Sequence, residues 1–372
     1  MNTSTQRARR LSRATGALLA ISVALVGGAR AADWEQDWKA TIAQAHREGE
    51  VVVATSPNLS RRDYLLKQWA KDYPGIKISL TQVRGANFLP MVIAERRSGK
   101  FLWDVFQSGP TTALEAAERQ VFDPLLPELI LPEVNNPDVW GGWNDAFYDD
   151  EKKYVIGLVS DVAAPYYNAS MIVPAKVQAS GLQILLDPAY KGKIVWYDPR
   201  LEGPGSLFMP TLERNLGAEA LRKLIVDQQP IFVNNLNAVA EAIVRRKAAI
   251  ALAGSPKADM REFATAGVAP DVRSFGPGPK TAYRSTDGSA LAIFNQRPHP
   301  AAARVFANWY MTREVSAGMA QATQFDSRRT DIPPLDPTAA AVPGGDYVDP
   351  QRGEGLKSLR FWRTETKRLA PQ

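Results

Sequence analysis

Apolar positions near the start of the chain recur at helical spacing. Trp34, Trp38, Ile42 and Ala45 fall on one stripe, and Gly49 ends it. Val51 to Ala54 is then an unbroken apolar run, the pattern of a strand buried on both faces, and Thr55 to Asn58 is the loop after it. Arg62 to Tyr73 returns to helical spacing with Tyr64, Leu65, Trp69 and Tyr73 inward, and Pro74-Gly75 closes it. Ile76 to Val83 alternates as a strand, Leu89 to Gly99 reads as a helix, and Trp103 to Gln107 as a third strand before the loop Ser108-Gly109-Pro110. Short strands alternating with helices predict an α/β chain built on a doubly wound, mainly parallel sheet.

The second half repeats the theme. Ile194 to Tyr197 is a β-rich run bounded by turn chemistry, Lys191-Gly192-Lys193 before it and Asp198-Pro199 after it. Helices are expected over Leu207 to Leu216 and Ala238 to Lys247, with a strand from Ile250 to Ala253. The stretch from Asp331 to Gln372 carries little pattern. Its Pro and Gly content predicts a loop, followed by an edge helix from Gly355 to Arg368.

Charge changes the picture only at the N-terminus. The 372 residues hold 45 Lys and Arg against 39 Asp and Glu, a formal net charge of +6. Arg7, Arg9, Arg10, Arg13 and Arg30 lie in the first 31 residues with no acid, so the remainder is close to neutral. This argues against a nucleic-acid partner. Those 31 residues read as an export signal: a basic stretch, an apolar run from Ala17 to Val26, and Ala29-Arg30-Ala31 as the small-residue cleavage site. The run is short of the ~20 residues that span a bilayer. No cysteine occurs anywhere, which removes disulfides and thiolate chemistry. The expected location is the periplasm.

Several blocks resemble one family. Glu48 to Asn58, Leu65 to Ile78, Ala94 to Gly109, Leu185 to Val195 and Pro298 to Tyr310 follow, in order, segments of bacterial extracellular solute-binding proteins. The resemblance is to the branch that takes ferric iron or small anions for ABC importers. It implies two doubly wound α/β lobes joined by crossing strands, the type II periplasmic binding protein fold, with the ligand between the lobes. The crossings are then expected near Ile156 to Tyr167, near Tyr283 to Phe294 and near Tyr310 to Val315. Lobe 1 becomes residues 32–158 with 289–311, and lobe 2 residues 159–288 with 312–372.

Ligand residues are expected on loops at the carboxyl ends of the strands. In lobe 1 these are Ser56 and Asn58, Arg84 with Asn87, and Ser108. In lobe 2, Glu202 to Phe208 leads from a strand into a helix. Free N–H groups there suit an anion, with Gly205 giving close approach and Ser206 a hydroxyl, where the family carries a Ser-Gly-Ser-Gly segment. Asn237 is read as a helix cap that could instead face the ligand, and Ser255 and Lys257 follow the next strand. Iron-binding relatives place adjacent tyrosines after that strand. Lys257-Ala258 stands there instead, which favours a phosphate or carboxylate over a metal. Tyr166-Tyr167 lies on a crossing strand, where packing is expected. The resemblance also brings in Arg328.

Catalytic patterns are weak. His46 and His299 are the two histidines, neither in a triad or zinc-ligand context, and no phosphate-loop motif occurs. Asp149-Asp150-Glu151 reads as a solvated turn. The expectation is a monomeric, cofactor-free binding protein that captures a small anionic solute by hinge closure and hands it to a membrane permease. Ferric iron with a bound anion, and an enzyme on the same two lobes, are the alternatives.

Overall fold

Strand β1 (Glu50–Thr55) lies in the first sheet between two neighbouring strands. Val53 pairs with Leu80 of β2 (Lys77–Gln82) and with Val105 of β3 (Val105–Ser108), all parallel. The structure is a computed structural model. It describes residues 34–83, 85–201, 203–252, 267–269, 271–286 and 288–371, without the side chains of 85–87. The expected export signal falls outside these residues.

The first helix, α1, spans 34–48 as its stripe predicts. Helix α2 (Leu59–Asp72) begins three residues before the expected Arg62, because the side chain of Asn58 accepts the Arg61 N–H at 2.8 Å and caps it there. Helix α3 (Gly85–Arg97) likewise starts ahead of Leu89 and carries Pro90 within it. Helix α4 (Pro110–Glu118) places its proline at N1. Strand β4 (Phe122–Asp123) follows, and the sheet is completed from far along the chain by β13 (Ala290–Phe294), which runs antiparallel between β3 and β4.

Alternation along these strands feeds two cores. Val51, Val53, Val105, Leu291 and Ile293 pack with α2 (Leu65, Trp69) and with Phe306. Ala54, Phe106, Ala290, Ala292 and Phe294 face the other way, onto Phe88 and Val92 of α3 and Ala113 and Ala116 of α4. A sheet buried on both faces leaves its strand ends as the place where polar groups meet solvent.

The second sheet has the order β11-β7-β10-β8-β9. Strands β8 (Ile194–Tyr197), β9 (Ile231–Val233) and β10 (Ile250–Leu252) are parallel. Strands β7 (Tyr166–Asn168) and β11 (Val272–Ser274) are antiparallel to their neighbours. Ile194, Trp196, Ile250 and Leu252 face one core, and Val195 and Ala251 the other, against Val239 and Ile243 of α10 (Leu236–Val244). The first core also receives α8 (Met209–Leu216) and α9 (Ala218–Val226).

Two of the expected crossings fall on strands. Strand β5 (Ile156–Gly157) belongs to the first sheet, and β6 (Asp161–Ala163) pairs with β12 (Tyr283–Ser285) in a small ribbon between the lobes. The third does not. Residues 310–315 are the junction of α11 (Pro300–Met311) and α12 (Arg313–Thr323), and α12 stays on lobe 1, packing on α2 with Val315 and Met319 in its core. The expected division at residue 312 is therefore corrected. The chain keeps bonding to lobe 1 as far as Thr330, whose N–H reaches Val139 O, and passes toward lobe 2 by Val348, which accepts the Arg284 N–H.

The C-terminal helix α13 (Gly353–Leu369) is also more than an edge helix. Leu359, Trp362 and Thr366 form its buried face, and it packs against α7 (Pro204–Leu207), α8 and α9 of lobe 2.

Candidate functional site

The direction in which successive strands are added reverses at β1, since β2 lies on one side of β1 and β3 on the other, all three running parallel. Ligands of open α/β sheets bind outside the carboxyl ends of the strands at such a point. Here Ser56 follows β1, Ser108 ends β3, and Ser289 precedes β13, whose Ala290 is the register partner of Ser108. Three serines on neighbouring strands thus share one edge.

Arg61 joins them, and sequence reasoning passed over it. Its guanidinium is 2% exposed. Nη1 donates to Ser56 Oγ and to Gly288 O at 3.5 Å, and Nη2 donates to Ser289 Oγ at 2.8 Å. Its Nε is buried without a partner. No carboxylate pairs with it among the described residues. A buried cation facing hydroxyls and a carbonyl alone is short of negative charge. The available signal was its position, three residues after an Asn cap at the end of the first strand.

Of the other lobe 1 candidates, Asn58 spends its side chain as the α2 cap, and Arg84 lies outside the described residues. Ser108 is 6% exposed.

In lobe 2, Gly205 and Ser206 are brought to the expected strand-to-helix turn but are both turned inward. The Ser206 hydroxyl is 1% exposed and donates to Gly203 O at 2.9 Å. Trp196 Nε1 donates to Gly205 O at 3.1 Å, and a Cβ on Gly205 would stand 1.7 Å from the Tyr197 carbonyl oxygen. The glycine therefore lets the turn close on β8, a structural need rather than one of ligand approach. Gly205→Ala is expected to lower stability by about 1–3 kcal/mol, measured by urea denaturation. An unchanged midpoint would mean the turn can move away from β8.

Asn237 is corrected as the cap of α10. Asn235 holds that position, its Oδ1 accepting the Ala238 N–H at 2.7 Å, and Asn237 sits exposed in the first turn. Ser255 and Lys257 lie outside the described residues.

Arg328 is corrected as well. It is 5% exposed, and Nη1 meets Asp145 Oδ2 at 3.1 Å and Asp145 O at 3.2 Å. Arg352 Nη2 reaches Asp145 Oδ1 at 2.7 Å, and Arg284 on β12 lies 3.9 Å from Oδ2. Tyr148 donates to Asp349 Oδ2 at 2.8 Å. This cluster ties lobe 1, the β12–β6 ribbon and the C-terminal segment together, and Arg328 is committed within it to Asp145.

Other readings are refined. Tyr167 packs edge-on to Phe275 with centroids 5.6 Å apart. Asp149 is 6% exposed and accepts the N–H groups of Lys153, Tyr154 and Val155, while Asp150 and Glu151 face solvent. His299 binds Asp104 through Nδ1 at 2.8 Å, and burial pushes the Asp104 carboxyl above its ordinary range.

The sequence profile of the bacterial extracellular solute-binding proteins matches residues 55–317. The chain belongs to that family. This solute-binding protein also shares its fold with solved structures. Iron-bound HitA from Pseudomonas aeruginosa superposes with a TM-score of 0.65 at 15% identity, over 85% of this chain and 99% of that one. The apo ferric ion-binding protein A of Pasteurella haemolytica gives 0.63 at 15%, over 87% and 97%. AfuA from Actinobacillus pleuropneumoniae, with exogenous fructose-6-phosphate bound, gives 0.57 at 14%, over 86% and 99%. No curated protein matches the sequence. The shared fold is the two-lobed periplasmic binding protein architecture.

Proposed function

We propose that this solute-binding protein takes a small anionic solute, a phosphate ester, phosphonate or carboxylate, between its lobes and delivers it to an ABC permease. One observation carries the anionic assignment: Arg61, buried at the switch point of the lobe 1 sheet beside Ser56 and Ser289, with no carboxylate paired to it among the described residues. An arginine fork matches two oxygens of a phosphate or carboxylate, and serine hydroxyls complete the set. The solute closes the lobes because the closed state alone offers contacts from both. Capture by closure needs neither an oligomer nor a bond-making residue, so a periplasmic monomer without enzymatic activity is the reading.

Calorimetric titration of the mature protein with phosphate monoesters, phosphonates, carboxylates and ferric iron tests it. Saturable binding of an anion is expected, with affinity falling about ten- to a hundred-fold in Arg61→Met, and the melting temperature reported alongside. Ferric binding with a visible charge-transfer band, and no anion binding, would overturn it in favour of an iron carrier.

A further inference from the structure

Three arginines converge on a groove away from that edge. Arg97 ends α3, Arg119 follows α4 as its C-cap, and Arg363 reaches in from α13, around a groove of about 530 Å³. The same walls bring Leu89 and Ile93 of α3. Other arginines of this protein are paired at depth: Arg297 with Asp123 and Glu128, Arg329 with Asp331 and Glu133, Arg352 with Asp145 and Asp349. Among the described residues, Arg97, Arg119 and Arg363 have no such partner. The groove's one carboxylate, Glu115, lies 3.6 Å from Arg360 and is shared with a fourth cation.

We propose that this groove is a second anion site, taking inorganic phosphate or a small phosphate monoester, and that its occupant draws the lobes together. Like charges lining one groove repel, and a multivalent oxyanion turns that repulsion into attraction. Guanidinium forks suit phosphoryl oxygens, and Leu89 and Ile93 give an organic body an apolar wall. The volume falls in the range of small-ligand pockets, about 300–1,000 Å³. Arg97 and Arg119 belong to lobe 1, whereas Arg363 rides on a helix anchored in lobe 2 by Trp362. A bound phosphate therefore bridges the lobes and stabilises the state in which they approach. Helix α13 lies beyond residues 55–317, so this wall is outside the part of the chain that the family profile matches. The site stands on its own charges and does not require the ligand at Arg61 to be an anion.

The test titrates the mature wild-type protein with inorganic phosphate and with glycerol 3-phosphate at constant ionic strength, using chloride as the reference anion. The variants are Arg363→Ala, the pair Arg97→Ala with Arg119→Ala, and Arg61→Met. Saturable binding is expected in the wild type and in Arg61→Met. It should weaken about ten-fold or more in Arg363→Ala and in the pair. Small-angle scattering should show phosphate reducing the radius of gyration of wild type but not of Arg363→Ala. No saturable binding in the wild type would overturn the site. Binding that is lost in Arg61→Met and kept in the arginine variants would overturn it too, placing the anion at the lobe 1 edge. The arginine variants remove solvent-exposed or half-buried side chains, and their melting temperatures confirm that they fold.

Discussion

Trp362→Ala lowers the stability of lobe 2 by about 3–5 kcal/mol and frees the C-terminal helix. The indole is 0% exposed and lies in one cluster with Leu212, Leu221 and Leu224, so its loss leaves a hole on the inner face of α13. The Arg222 guanidinium, 5.4 Å from the ring, loses its aromatic surface at the same time. Its other buried side chains are Leu359 and Thr366, and the remaining ties are polar, Arg222 to Glu365 at 3.2 Å and Ser358 to Glu213. Trp362→Phe separates volume from polarity. The indole Nε1 is buried with no hydrogen-bond partner, so phenylalanine removes an unsatisfied donor along with part of the volume, and the cost is expected to be smaller. Urea denaturation of both variants, with limited proteolysis of residues 331–352, checks this. Equal and small losses would mean that α13 is a dispensable appendage.

Asp145→Ala is the second large effect, about 3 kcal/mol at neutral pH. It strips the carboxylate from Arg328, whose side chain is 3% exposed, and from Arg352 and Arg284. Burial raises the Asp145 carboxyl, but the hydrogen bond from Arg352 and the charges of Arg328, Arg352 and Arg284 outweigh it and hold the group down at about 2, against an ordinary 3.8. A carboxyl held below its unfolded value contributes stability above pH 3.8. That contribution is lost as the pH falls from there through about 2. At 41% exposure, solvent screening reduces the pH-dependent part to about 1 kcal/mol. Denaturation at pH 7 and across pH 4 to 2 should show the variant less stable throughout and flatter in the acid range. A variant as acid-sensitive as the wild type would place the titration elsewhere.

Much of the fold was legible because period and burial agree. The run Val51 to Ala54 had to be a strand buried on both faces, and the structure puts Val51 and Val53 in one core and Ala54 in the other. Helix starts were less legible. Polar residues such as Asn58 and Asn235 set them by a single side-chain bond, which shifts a boundary without disturbing the apolar stripe. Helix α13 is hard to read as a packed element because its apolar residues, Leu356, Leu359, Phe361, Trp362 and Leu369, are set amid a dense run of charges.

The candidate site was legible in place and less so in residue. Strand ends pointed to Ser56 and Ser108, but charge is not self-explanatory in sequence. Arg61 and Arg62 look alike there, yet one is buried at the sheet edge and the other is exposed beside Asp63. Arg328 looked like a ligand residue until Asp145 appeared against it, an acid far away in the chain.

The position of β13 has a consequence for biogenesis. The strand that sits between β3 and β4 in the first sheet is made only after every strand of the second sheet. Until residues 290–294 emerge, β3 has an open edge and the N-terminal half cannot reach its final pairing. Folding is thus dominated by contacts between distant parts of the chain and is correspondingly slow. For a polypeptide exported unfolded, such a delay is an advantage, because its earliest-made half stays pliable until the last third has arrived.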